Sequence, residues 1–136
     1  MIETRSLTPA LWPDVERLFG SNGACGGCWC QAWRIEKGEK WENVKGPVAK
    51  RRLKRGIFDG SVRGVLAYED ATPVGWCTYG PRKSFPKLDR APSLACEDVE
   101  RVTSVPCFFV KAGHRGKGVA GALLRAACEA IGRGCI

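Results

Sequence analysis

Residues 107–124, CFFVKAGHRGKGVAGALL, constrain the fold more than any other stretch of the chain. The apolar run Phe108–Val110 reads as the end of a strand. It passes into a turn holding Gly113, Gly116 and Gly118, and then into VAGALLRAACEAI, which reads as a helix. The first amides of a helix have no intrahelical partner, and the aligned peptide dipoles add partial positive charge there. Glycines let an anion come close to that backbone. A strand that enters a helix through such a turn is, physically, a phosphate cradle. The charge balance agrees: 22 Lys and Arg against 14 Asp and Glu give a formal +8, which suits an anionic partner.

The rest of the chain supplies a layered frame for that segment. At 136 residues it is expected to form a single domain over 1–136. IETRSL alternates apolar and polar residues as a short strand does. Thr8 followed by Pro9 starts a helix with Leu11, Val15, Leu18 and Phe19 on one face, and Gly20 ends it. GACGGCWCQAWRIEKGEKW reads mostly as loop. A second helix is expected from Pro47 to Phe58, basic on one side, with Val48, Leu53 and Ile57 for the core. RGVLAYED and PVGWCTYG flank the turn residues Asp70–Thr72 and read as an antiparallel hairpin. Three prolines mark residues 81–100 as a connecting loop. RVTSVPCFFV is a fourth strand, and Pro106 inside it requires a bulge or an unpaired edge, because proline cannot donate to a ladder. The final helix is expected to bury Ala120, Leu124, Ala127 and Ile131 and to stop at Gly132. Cys135-Ile136 would begin another strand.

Three phosphate motifs compete for the glycine turn. A Walker A loop needs Ser or Thr after Gly-Lys, but Gly118 follows Lys117. The dinucleotide pattern GxGxxG is matched by Gly116, Gly118 and Gly121. However, it should start directly after the strand, and it needs an acidic residue about 20 positions on, where the sequence has already finished. The third pattern, Arg-x-x-Gly-x-Ala at Arg115, Gly118 and Ala120 after FFV, resembles the acetyl-CoA signature of the GNAT superfamily of N-acetyltransferases. The order of elements resembles that family along the whole chain.

The resemblance implies an α/β (α+β) fold, a mixed and mainly antiparallel sheet flanked by helices. It implies transfer of acetyl from acetyl-CoA to a primary amine. Backbone amides from Arg115 through Gly116, Lys117, Gly118, Val119 and Ala120 would hold the pyrophosphate, and the edge of Phe108, Phe109 and Val110 would pair with the pantetheine arm. The family continues after this helix with a further strand, helix and strands, so the chain reads as a domain lacking its C-terminal strands and helix. Its fourth strand would then be an open edge, and a homodimer through that edge is expected. The alternative is a non-catalytic CoA-binding or protein-interaction remnant.

For the chemistry, Glu97, Asp98 and Glu100 precede the fourth strand, and Glu97 or Glu100 is the expected general base. Tyr79 near the end of the third strand is a candidate to face the acceptor. His114, the only histidine, is expected near solvent or phosphate. Among eight cysteines, Cys77, Cys107 and Cys128 lie in apolar segments and read as reduced core thiols. Cys25-x-x-Cys28-x-Cys30 lacks the fourth ligand of a zinc site, so no metal is expected. That stretch, with Trp29 and Trp33, is placed near the acceptor side by the resemblance. The run Lys50, Arg51, Arg52, Lys54 and Arg55 reads as a solvated helix face, and no nucleic-acid module accompanies it. The N-terminus carries no basic leader before an apolar run, and no apolar run reaches the roughly 20 residues of a membrane span, so a cytoplasmic protein is expected.

Overall fold

Alternation of apolar residues sets the centre of the molecule. In the computed structural model, which describes residues 2–21, 23, 26–81, 84–86 and 103–134, four strands form one antiparallel sheet in the order β1-β2-β3-β4. These are β1 (Ile2–Ser6), β2 (Arg63–Glu69), β3 (Thr72–Pro81) and β4 (Thr103–Val110). Leu66, Tyr68, Trp76, Cys107 and Phe109 face one side of it, where α1 (Trp12–Phe19) and α3 (Pro47–Asp59) cover them. A short helix, α2 (Trp41–Val44), precedes α3. Val65, Ala67, Cys77 and Tyr79 face the other side, against α4 (Val119–Gly134). The fold is therefore helices, sheet, helix, the mixed architecture that the element order implied.

The hairpin lies where its turn residues put it. Glu69 pairs with Thr72, leaving Asp70 and Ala71 as a two-residue turn with φ of +50° and +69°. Both values are left-handed, the condition of the turn that matches strand twist. Alanine tolerates this poorly, so Ala71→Gly is expected to raise unfolding stability by about 1 kcal/mol, read in a urea titration. The hairpin is tied to α1 by the Tyr68 hydroxyl, which donates to Asp14 Oδ2 at 2.7 Å. Burial and that carboxylate both push the Tyr68 phenol up. Tyr68→Phe is expected to cost about 1–2 kcal/mol by leaving the carboxylate without its donor.

Pro106 sits at a register shift. Thr78 pairs with Cys107 and Gly80 with Ser104, so Tyr79 opposes both Val105 and Pro106. The missing N–H falls in a bulge on the edge strand of the sheet, where it costs no ladder bond.

Several expectations need correction. Thr8 makes no side-chain cap, and a 3-10 turn over Pro9–Leu11 precedes α1. On α4 the buried stripe is Val119, Leu123, Ala127 and Ile131. Ala120 and Leu124 are exposed, because the close approach of α4 to Gly75 selects the neighbouring stripe. Cys128 is exposed on that helix rather than in the core, and α4 continues past Gly132. On α3 Ala49 is buried beside Leu53 and Ile57, with Val48 at the margin. The connecting residues 87–102 and the terminal Cys135-Ile136 lie outside the described residues.

Candidate functional site

The glycine turn is held at both ends. The Lys111 N–H donates to the Val74 carbonyl at 2.8 Å, and the His114 N–H closes a turn on the Lys111 carbonyl at 3.0 Å. Gly116 and Gly118 have φ of +81° and +83°. A Cβ at either would meet nothing within 4 Å, so the backbone conformation and not packing demands glycine there. The first intrahelical bond of α4 runs from the Ala122 N–H to the Gly118 carbonyl at 3.0 Å. The amides of Val119, Ala120 and Gly121 are thus the helix's unpaired N-terminal donors. Val119 is buried against β3, where a Cβ on Gly75 would come within 2.5 Å of its Cγ1. That close approach fixes the helix start at the end of the strands.

A cavity of about 440 Å³ opens at this point. Of the nine residues expected to hold the cofactor, eight line it: Phe108, Phe109, Val110, Arg115, Gly116, Gly118, Val119 and Ala120. His114 and Gly121 complete the wall. Lys117 does not line it; its Nζ lies 3.8 Å from Glu69 Oε1. The volume, the apolar wall from β4 and the free amides of α4 fit an elongated ligand with a phosphate at one end.

Glu69, at the end of β2, is the residue that sequence reasoning missed. Its Oε2 is 3.1 Å from His114 Nδ1, and it faces Lys117 on the other oxygen. The His114 hydrogen bond first, then the Lys117 and His114 charges, hold its carboxyl below the usual range. Arg115 folds back so that its Nε–H donates to the Val110 carbonyl at 3.2 Å. The loop is therefore fastened to both strand ends by its own cationic side chains.

The candidate catalytic residues are not gathered here. Glu97 and Glu100, with Asp98, lie outside the described residues. Tyr79 is buried in the core beneath α4, with the Arg63 guanidinium 5.3 Å from its ring centre, and it does not line the cavity. Trp29 is a core aromatic, 5.3 Å from Phe19 and 6.2 Å from Trp12 between ring centres. Within the basic run, Lys50 pairs with Glu16 at 3.0 Å, and Arg52 grips both oxygens of Glu39, holding that carboxyl at about 2. Among the described residues no cluster of three or more His, Cys, Asp or Glu is arranged to hold a metal ion, and no helix is long and apolar enough to cross a membrane.

An antiparallel sheet flanked by helices, whose last described strand runs through a glycine turn into a helix, is an arrangement shared with many solved structures. The ribosomal-protein-alanine N-acetyltransferase of Brucella melitensis biovar Abortus 2308 is 18% identical with a TM-score of 0.54, the match covering 95% of this chain and 70% of that one. A putative acetyltransferase from Pyrococcus horikoshii is 16% identical with a TM-score of 0.57, over 98% and 76%. An aminoglycoside acetyltransferase from an uncultured soil metagenomic sample is 16% identical with a TM-score of 0.56, over 99% and 75%. At these identities the likeness shows the fold. No curated protein sequence matches significantly. The acetyltransferase (GNAT) family pattern matches residues 28–136, and the chain belongs to that family.

Proposed function

We propose that the chain is an N-acetyltransferase that takes acetyl from acetyl-CoA and delivers it to a primary amine. The observation that carries this reading is the cavity at the β4–α4 junction, with apolar strand residues along one wall and unpaired helix amides at the other. Bound there, acetyl-CoA supplies an acyl group activated as a thioester. The amides from Arg115 to Ala120 take the pyrophosphate, and the backbone edge of Phe108–Val110 pairs with the pantetheine arm. A backbone N–H beside the Val105–Pro106 bulge polarises the thioester carbonyl. The base that takes the ammonium proton is Glu97 or Glu100, both close to β4 in sequence.

The direct test is release of free CoA from acetyl-CoA over a panel of amines, including small amines, amino sugars and a peptide N-terminus. Amine-dependent release supports the proposal, and release with no amine dependence contradicts it. With the preferred amine, Glu97→Gln or Glu100→Gln is expected to lower kcat about 100-fold or more at unchanged acetyl-CoA affinity.

Phe108 is 40% exposed, and the outer edge of β4 pairs with no strand among the described residues. The same edge serves self-pairing of two copies, so sedimentation is expected to show self-association that acetyl-CoA reverses. A monomer at all concentrations contradicts the self-pairing.

A further inference from the structure

His114 lines the β4–α4 cavity, but its ring is set by a residue outside the cavity wall. Its Nδ1 lies 3.1 Å from Glu69 Oε2, and Glu69 is not among the lining residues. Both backbones are fixed. Glu69 pairs with Ile2 on β1 and with Thr72 on β3, and the His114 N–H is bonded to the Lys111 carbonyl. The two side chains are only 25% and 26% exposed, so water screens them less than it screens an open pair such as Lys45 and Glu42. An ionised carboxylate only accepts hydrogen bonds, so Nδ1 carries the proton of this one. Nε2 is then the ring nitrogen left for the cavity, and among the described residues it has no hydrogen bond. In the neutral ring Nε2 is a lone pair, which repels a phosphate oxygen. In the imidazolium it is a charged donor, which a phosphate oxygen accepts.

We infer that His114 binds a phosphate oxygen of the cavity's ligand through Nε2 as an imidazolium, with Glu69 as its positioning residue, so that binding takes up a proton. The inference rests on the reading of this cavity as the pyrophosphate site. The proton comes from solvent and settles on Nε2, and only hydrogen bonds form to the ligand. The other charges around the ring have different engagements. Lys117 turns to the second oxygen of Glu69, its Nζ 3.8 Å from Oε1, and does not line the cavity. Arg115 lines it with its Nε–H committed to the Val110 carbonyl. Lys111 opens the turn, and the amino-terminal ammonium acts on Glu69 from the β1 side. Asp70 follows Glu69 in the hairpin turn, and no ion pair joins it to the ring among the described residues. The first turn of α4 brings no acidic residue. A bound phosphate stabilises the imidazolium against the neutral ring, so affinity falls as pH rises and the Nε2 proton is lost.

His114 is the only histidine of the chain, so its ring signals stand alone in a proton NMR spectrum. The test adds inorganic pyrophosphate, and separately acetyl-CoA, to the full chain at a pH about one unit above an ordinary imidazole's midpoint. Either anion is expected to move the ring signals toward their imidazolium positions, and to move them less in Glu69→Gln. By calorimetry the acetyl-CoA Kd is expected to weaken about tenfold between about pH 6 and about pH 8. It is expected to change far less in a His114→Gln variant whose melting curve matches wild type. The ligand's own phosphates titrate alike in both proteins, so the difference reads the ring. Pyrophosphate that moves the signals where acetyl-CoA does not supports the imidazolium site and contradicts the acetyl-CoA reading. Acetyl-CoA that binds with the ring signals unmoved, equal pH dependence in the two proteins, or no response to either anion overturns the inference. A Glu69→Gln response equal to wild type overturns the positioning role of Glu69.

Discussion

Gly118→Val is expected to weaken acetyl-CoA binding about tenfold or more while leaving the melting curve within a few degrees of wild type. Gly118 has φ of +83°, and an added Cβ meets no protein atom within 4 Å. The substitution therefore creates no clash inside the molecule. It strains the turn by about 1–2 kcal/mol, and the turn yields by moving out of the conformation that aims its amides at one point. Loss of about 1.4 kcal/mol of binding is tenfold in Kd. Arg115→Glu is expected to act in the same direction for a different reason. It sets a negative charge beside the pyrophosphate and breaks the bond to the Val110 carbonyl that fastens the loop. Unchanged affinity in both variants contradicts the assignment of this turn to the pyrophosphate.

Trp76→Ala is expected to cost about 3–5 kcal/mol of unfolding free energy, a large share of what a domain of this size has. Trp76 is fully buried at the centre of β3 and meets Phe19 edge-on at 5.4 Å between ring centres. Phe19 in turn touches Trp29 and Phe109. This one aromatic cluster joins α1, the loop before α2, β3 and the strand that walls the cavity, so truncation opens a void that several elements share. The urea midpoint reports it. A loss under 1 kcal/mol contradicts the view that this cluster organises the half of the molecule on the α1 and α3 side of the sheet.

What the sequence made legible is what local chemistry dictates. The hairpin was readable because Asp70–Thr72 separates two apolar runs, and the bulge because Pro106 cannot donate to a ladder. The turn between β4 and α4 was readable because Gly116 and Gly118 mark a backbone that needs left-handed φ. Choices settled by tertiary contact were hidden. VAGALLRAACEAI carries two apolar stripes at helical spacing, and only the approach of α4 to Gly75 selects the one through Val119 and Leu123. Trp29 stands in a Gly- and Cys-rich stretch that looks like solvent-exposed loop, yet it is core. Glu69 binds a loop 45 residues away along the chain, and no local pattern marks it.

Calorimetric titration of the chain with acetyl-CoA, with NAD as control, tests the central claim most directly. The account predicts saturable micromolar binding of acetyl-CoA, none of NAD, and weakening by Gly118→Val. A folded chain that binds neither ligand, or binds both alike, contradicts it.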